Sequence, residues 1–215
     1  MKTREKIVKT AIELFNKNCA TNVSTVQLAQ YMDISPGNLY YYFENKEHII
    51  RAIWEESFLP GVHKIFEDIA STADTKEAVY NLVDRYLHLV YDHRFLYTEL
   101  NSLLFNDPLL RKHFQTVYNM ATIFFVDKYR LWREKGMLCD IDEDLLSTMY
   151  HTHRLALHSF MTYQILVMGR DNADQIASSA FMKVLQANQA IVNKEAYAYL
   201  EQRLLEAGAD VKDLI

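Results

Sequence analysis

The chain is poor in the residues that interrupt helices. It has three prolines and five glycines in 215 residues. That scarcity excludes collagen-like and low-complexity segments and argues against a turn-rich all-β fold. Cysteine is also scarce. Cys19 and Cys139 stand alone with no Cys-x-x-Cys spacing, so neither a disulfide framework nor a zinc site is expected, and both read as small hydrophobes. No Glu-x-x-His pair occurs, which leaves a di-metal carboxylate bundle unsupported, and no glycine-rich phosphate loop is present. No bound metal or cofactor is expected. Long apolar runs are missing too. The longest, Met120-Ala121-Thr122-Ile123-Phe124-Phe125-Val126, is far too short to span a bilayer. Met1-Lys2-Thr3-Arg4-Glu5-Lys6 lacks the apolar core of a signal peptide. The expectation is a cytoplasmic protein with no membrane partner.

What fills the chain is helical periodicity. Half of the residues are hydrophobic, enough for a sizeable core. Apolar positions recur at helical spacing between the few breakers, and strand-like alternation is rare. The pattern predicts an all-α protein with helices over 3–17, 25–31, 36–42, 46–69, 75–92, 94–105, 108–135, 142–168, 172–191 and 194–207. The first three form a small head. Pro60-Gly61 should kink or divide the fourth, which leads from head to body. The expected domains are 1–50, a helix-turn-helix head, and 51–215, a helical body. The net charge of −5 is unevenly spread. Residues 1–51 carry seven Lys/Arg against five Asp/Glu, a balance of +2, while the remainder carries 16 against 23, or −7. The head is mildly basic and the body acidic, so contacts to a polyanion would lean on neutral donors and helix N-termini.

Residues 24–46 are the most informative stretch. Ser24 with Gln27 makes a capping box, in which hydroxyl and amide each satisfy an orphan N–H. Ser35 precedes Pro36, which suits a first helical position because its missing N–H is not needed there. Two short helices joined by a tight turn outline a helix-turn-helix whose second helix can enter a major groove. On that second helix Leu39 and Phe43 share the inward face. Gly37, Asn38 and Tyr41 lie opposite, flanked by Tyr40. Gly37 permits close backbone approach, Asn38 can pair with a base edge, and tyrosine hydroxyls can reach phosphates. A helix this short cannot bury Tyr40, Tyr41 and Tyr42 together, so at least one points outward. Asn45 is the expected N-cap of the next helix, which opens on Lys46.

From Arg4 to about Ile53 the sequence resembles the DNA-binding domain of the TetR/AcrR family of transcriptional repressors. The resemblance rests on Ile7, Ala11, Leu14 and Phe15; on Val23-Ser24-Thr25 and Leu28-Ala29; on Ile34-Ser35-Pro36-Gly37-Asn38-Leu39-Tyr40-Tyr41-Tyr42-Phe43; and on Asn45-Lys46-Glu47 with Ile49. Asn18-Cys19 departs from the family, which usually has glycine there. The resemblance implies phosphate contacts from Ser24, Thr25, Tyr40, Tyr41 and Lys46. It implies groove contacts from Val26, Pro36, Gly37, Asn38 and Tyr42, although helical geometry puts Tyr42 nearer the inward face. It also implies a homodimer built on the helices at 142–168 and 172–191, and a small-molecule effector pocket in the body.

The body is rich in aromatics, read either as core or as cavity lining; Tyr97, Phe105, Tyr118 and Phe124 are candidates for the latter. On the helix at 142–168, His151, Arg154 and His158 form a cationic stripe among apolar residues. They would receive an acidic ligand, or else form a polar seam with Glu99 or Asp144 as partner. Ala177-Ser178-Ser179-Ala180 allows close helix approach. The function read from the sequence is a ligand-responsive, DNA-binding transcriptional regulator, in the repressor sense. It would bind a palindromic double-stranded operator as a homodimer and answer to an unidentified effector. A helical protein-interaction adaptor and a helical-bundle enzyme are the alternatives.

Overall fold

A computed structural model describes residues 3–70 and 75–210. The helices are α1 (Thr3–Asn18), α2 (Thr25–Tyr31), α3 (Pro36–Tyr42), α4 (Lys46–Ile53), α5 (Leu59–Ala70), α6 (Lys76–Asp92), α7 (Phe95–Thr98), α8 (Leu100–Asn106), α9 (Pro108–Glu134), α10 (Glu143–Leu166), α11 (Ala173–Ala187) and α12 (Lys194–Glu206). Ala20–Asn22 form a 3-10 turn. Extended pairing among the described residues is an isolated bridge between Leu138 and Val192. Among these residues no helix is long and apolar enough to cross a membrane.

The helix expected at 46–69 is divided as Pro60-Gly61 suggested, but just ahead of the proline: Trp54–Phe58 widen into a π turn between α4 and α5, and the Leu59 N–H bonds Trp54 O. The wider turn relieves the clash between a proline ring and the preceding carbonyls. The helix expected at 94–105 is cut at Glu99, whose backbone leaves the helical region with φ −115° and ψ 14°.

The described residues fall into two compact units. One is drawn from Met1–Lys64 and Asp92–His113, the other from Ile65–Tyr91 and Phe114–Ile215. In the first, Ile7, Ala11 and Phe15 of α1 are buried with Leu28, Leu39, Phe43, Ile49 and Ile53. Phe95 of α7 meets Phe15 edge-on at 5.3 Å. Burying each large side chain contributes roughly 1.5–3 kcal/mol. Polar contacts fix the inserted segment as well. Arg51 pairs with the buried Asp107 at 2.6 Å, and the Asn16 Nδ2–H donates to Asp92 O at 2.7 Å.

The second unit has a core of Ile65, Ile69, Leu82, Tyr129, Trp132, Leu146, Met149, Tyr150 and Ala196. Here α11 is covered by α10 and α12 of the same chain, and Ile176 to Met182 are all buried. The small-residue run 177–180 therefore serves close packing of α11 within one chain. Apolar side chains left exposed in this unit include Met120 and Ile123 on α9, Leu145, Leu155 and Leu166 on α10, Val167 and Met168 just after it, and Leu205 on α12.

Candidate nucleic-acid interface and a cationic cluster in the second unit

The helix-turn-helix is held by its caps. The Gln27 N–H donates to Ser24 Oγ at 3.1 Å, and the Ser24 N–H donates to Gln27 Oε1 at 2.8 Å. The turn passes through Asp33 at φ 54°, a left-handed conformation that a short polar side chain tolerates. The Ile34 N–H then returns to Ala29 O at 3.0 Å. Ser35 Oγ accepts the Asn38 N–H at 3.1 Å, with Pro36 at the start of α3. This spends the backbone of Asn38 and leaves its carboxamide exposed.

Leu39 and Phe43 are fully buried, as the period requires. The Arg4 guanidinium lies 4.4 Å over the Phe43 ring and backs the helix from α1. Outward stand Pro36, Gly37, Asn38 and Tyr41, the last 81% exposed. Tyr42 is half-buried, edge-on to Tyr41 at 5.0 Å. Tyr40 Oη lies 2.8 Å from Thr25 Oγ1, so the start of α2 and the outer edge of α3 meet through two hydroxyls. Ser24 and Val26 are exposed beside them. A Cβ built on Gly37 would meet nothing within 4 Å. The fold does not need glycine there, but close approach from outside would.

Lys46 has a structural role that the sequence did not reveal. Its Nζ donates to Ala20 O at 2.7 Å and Thr21 O at 3.3 Å, closing the 3-10 turn. An ammonium has three N–H groups, so one remains for an outside acceptor. The same turn is clamped from the other side by Glu99, which accepts the Ala20 N–H (2.5 Å), the Thr21 N–H (2.9 Å) and the Thr21 hydroxyl (2.7 Å).

The residues expected to line a pocket are distributed over both units. In the first, Tyr97 is tilted against Phe58 at 5.9 Å, and Phe105 is 82% exposed. In the second, Phe124 stacks on Phe66 at 4.2 Å. Tyr118 and α10 form a tight cluster. Tyr118 Oη lies 2.6 Å from His151 Nδ1, and the Arg154 guanidinium carbon lies 3.7 Å over the Tyr118 ring. Arg154 Nε is buried without a hydrogen-bond partner. No carboxylate reaches Arg154 among the described residues. The partners suggested for a polar seam are placed otherwise. Glu99 is taken by the 3-10 turn, and Asp144 is exposed, its carbonyl accepting from Thr148.

His158 pairs with Tyr86 Oη at 3.0 Å. Burial, with the Arg154 charge second, pushes its pKa down to about 3. It is neutral near pH 7, which corrects the expectation of three cations on the stripe. Missed from sequence altogether is a cavity of about 90 Å³ on another face of α10, lined by His153, Met149 and Leu157 together with Trp132, Val184 and Asn188. Its one sequence signal is the spacing of His151 and His153, which diverge on a helix.

The family described as "Bacterial regulatory proteins, tetR family" matches residues 7–53, and the one described as "Bacterial transcriptional repressor" (TetR) matches residues 58–200. The HTH-type transcriptional regulator UidR of Escherichia coli (strain K12) is 28% identical over 167 residues, 76% of this chain and 80% of UidR. The probable HTH-type transcriptional regulator YttP of Bacillus subtilis (strain 168) is 30% identical over 125 residues, which span 55% of this chain and 58% of YttP. A crystal structure of a TetR-family transcriptional regulator from Marinobacter aquaeolei VT8 superposes with a TM-score of 0.85 at 25% identity, covering 96% of this chain and 99% of that one.

Proposed function

The chain belongs to the TetR family of bacterial transcriptional regulators, which are DNA-binding proteins and not enzymes, and we propose that it acts as a homodimeric repressor whose hold on a palindromic operator is released by a small acidic effector. DNA binding is assigned to residues 1–50, effector binding and dimerisation to 51–215. The observation that carries the reading is α3. It is capped, backed by Leu39 and Phe43, and presents Gly37, Asn38 and Tyr41 outward beside the Thr25–Tyr40 hydroxyl pair. Neutral donors of this kind position phosphates, while a free carboxamide can read adenine in the major groove. Dimerisation would cover the apolar side chains that one chain leaves exposed on α9 and α10. The effector's acid group would supply the counter-charge that Arg154 lacks. Release requires only that the effector favour the conformation that fits DNA poorly. A regulator of this kind works where the chromosome is, in the cytoplasm.

The test is a mobility-shift titration with the duplex upstream of the protein's own gene, run against random duplex at several salt concentrations. Log affinity should fall linearly with log salt, and a specific complex of two chains per duplex is expected. A protein that stays monomeric on DNA, or binds both duplexes alike, overturns the proposal.

A further inference from the structure

The cavity on the His153 face of α10 belongs to none of the assigned sites. Its wall is made mainly of apolar side chains, among them Trp132, Met149, Phe181 and Val184. The polar groups gather into one chain. Tyr129 Oη lies 2.7 Å from His153 Nδ1, and the Asn188 Nδ2–H donates to Val184 O at 2.7 Å. Among the described residues no Asp or Glu lines the space, and its one lysine, Lys76, pairs with Glu195 at 3.3 Å. Burial lowers the His153 pKa, so the imidazole brings no charge. Apart from that paired lysine, a charged ligand would find no counter-ion among the described lining residues. A cluster of waters would find too few partners, since each needs two to four and the polar groups are already largely engaged with one another. An apolar molecule with a single hydroxyl fits both ends. Its body would lie against the aromatic and methionine wall, and its O–H would donate to a free lone pair on Tyr129 Oη or Asn188 Oδ1.

We propose that this cavity is a second small-molecule site, selective for neutral, compact, mostly apolar ligands with one hydroxyl group, such as a phenol. It is separate from the acid-recognising role given to Arg154. On a helix of about 100° per residue, Met149, His153 and Leu157 lie on a different face from His151, Arg154 and His158.

The experiment uses the full chain with methyl-labelled methionines and three probes: phenol, toluene and benzoate. Phenol should shift the methyl signals of Met137 and Met149, which line the cavity, and leave Met32 and Met120 unmoved. At tenfold its dissociation constant it should raise the melting temperature by roughly 3–6 °C. Toluene should bind roughly 2–10-fold more weakly, the loss of one hydrogen bond, and benzoate should leave both methyls in place. The double variant Tyr129→Phe with Asn188→Leu, which removes both acceptors, should abolish the preference of phenol over toluene, and Arg154→Leu should leave phenol binding unchanged. Val184→Phe, which fills the space, should abolish the shifts. If that variant fails to fold, the methyl shifts in the parent chain decide alone. Unmoved Met137 and Met149 signals, benzoate binding equal to that of phenol, or unchanged phenol binding in a folded Val184→Phe protein each overturn the proposal.

Discussion

Glu99 holds Thr21 by two contacts, accepting its backbone N–H at 2.9 Å and its hydroxyl at 2.7 Å, across 78 residues of sequence. The carboxylate also takes the N–H of buried Ala20. These are charge-assisted bonds to groups that would otherwise be orphans at the start of a 3-10 turn. Glu99→Ala should cost about 2 kcal/mol of stability. The melting temperature should fall by about 4–8 °C. Glu99→Gln, which keeps the acceptor but not the charge, should cost roughly half as much. Denaturant unfolding of the three proteins checks this; if Glu99→Ala matches the parent, the clamp contributes nothing.

Cys19 sits at φ 65° and ψ 138°, a region that only glycine enters readily. Its substitution is therefore a test of strain. Cys19→Gly should stabilise the protein by about 1 kcal/mol, after the larger chain entropy of unfolded glycine is offset. Cys19→Ser keeps the Cβ and should change little. Equal stability for all three would mean that the turn carries no strain.

For DNA, Asn38→Ala should weaken the operator complex by about 1–3 kcal/mol and barely affect random duplex. Tyr41→Phe should weaken both alike, because a phosphate contact carries no sequence information. Lys46→Ala should do that and also lower the melting temperature, since its ammonium closes the turn at Ala20 and Thr21. Equal losses on both duplexes for Asn38→Ala would remove it from base reading.

His158 gives the body a pH dependence. The unfolded chain takes up its proton near the ordinary value of 6.5, the folded chain only near 3. Its contribution to stability is therefore intact above about pH 6.5 and is lost progressively as pH falls toward 3. The loss is at most about 1.4 kcal/mol per pH unit. His153, also lowered by burial, acts in the same sense. His88 acts oppositely. Its carboxylate partners Asp174 and Asp84 and the Asp84 carbonyl outweigh burial and raise its pKa, so its contribution is present at low pH and lost as pH rises through the raised value. Calorimetry from pH 7.5 to 5 should show the parent losing stability faster than His158→Gln; parallel curves would refute the assignment.

Much of this fold follows from local sequence. Ser24, Gln27, Ser35, Pro36 and Asn45 set the helix starts through neighbours three residues away, and period alone puts Leu39 and Phe43 inside. The departure at Cys19 was also legible, and it falls on a strained residue. What could not be read depends on partners remote in sequence. Nothing local announces that Glu99 will clamp residues 20 and 21, that Asp107 will meet Arg51, or that residues 92–113 will cluster with the N-terminal ones. Nor does local period announce that α11 will be buried on most of its faces within its own chain.

Arg154 offers the sharpest test of effector chemistry. A guanidinium stacked on Tyr118, with a buried and unpartnered Nε and no carboxylate of the described residues in reach, is an arrangement that an anion would improve. His158, held neutral by burial, does not share that demand. An apolar acid reaching Arg154 should gain roughly 1.5–3 kcal/mol from the charge-assisted bonds. The corresponding amide or alcohol should bind about 10–100-fold more weakly. Arg154→Leu should erase that preference. Because no ion pair among the described residues is broken, the variant should keep its size in solution and melt within a few degrees of the parent. Measuring melting temperature, oligomer size and acid-versus-amide affinity on one preparation separates the cases. A well-folded Arg154→Leu protein that still prefers the acid would end the proposal. One that loses its partner chain would place Arg154 at an interface between copies instead.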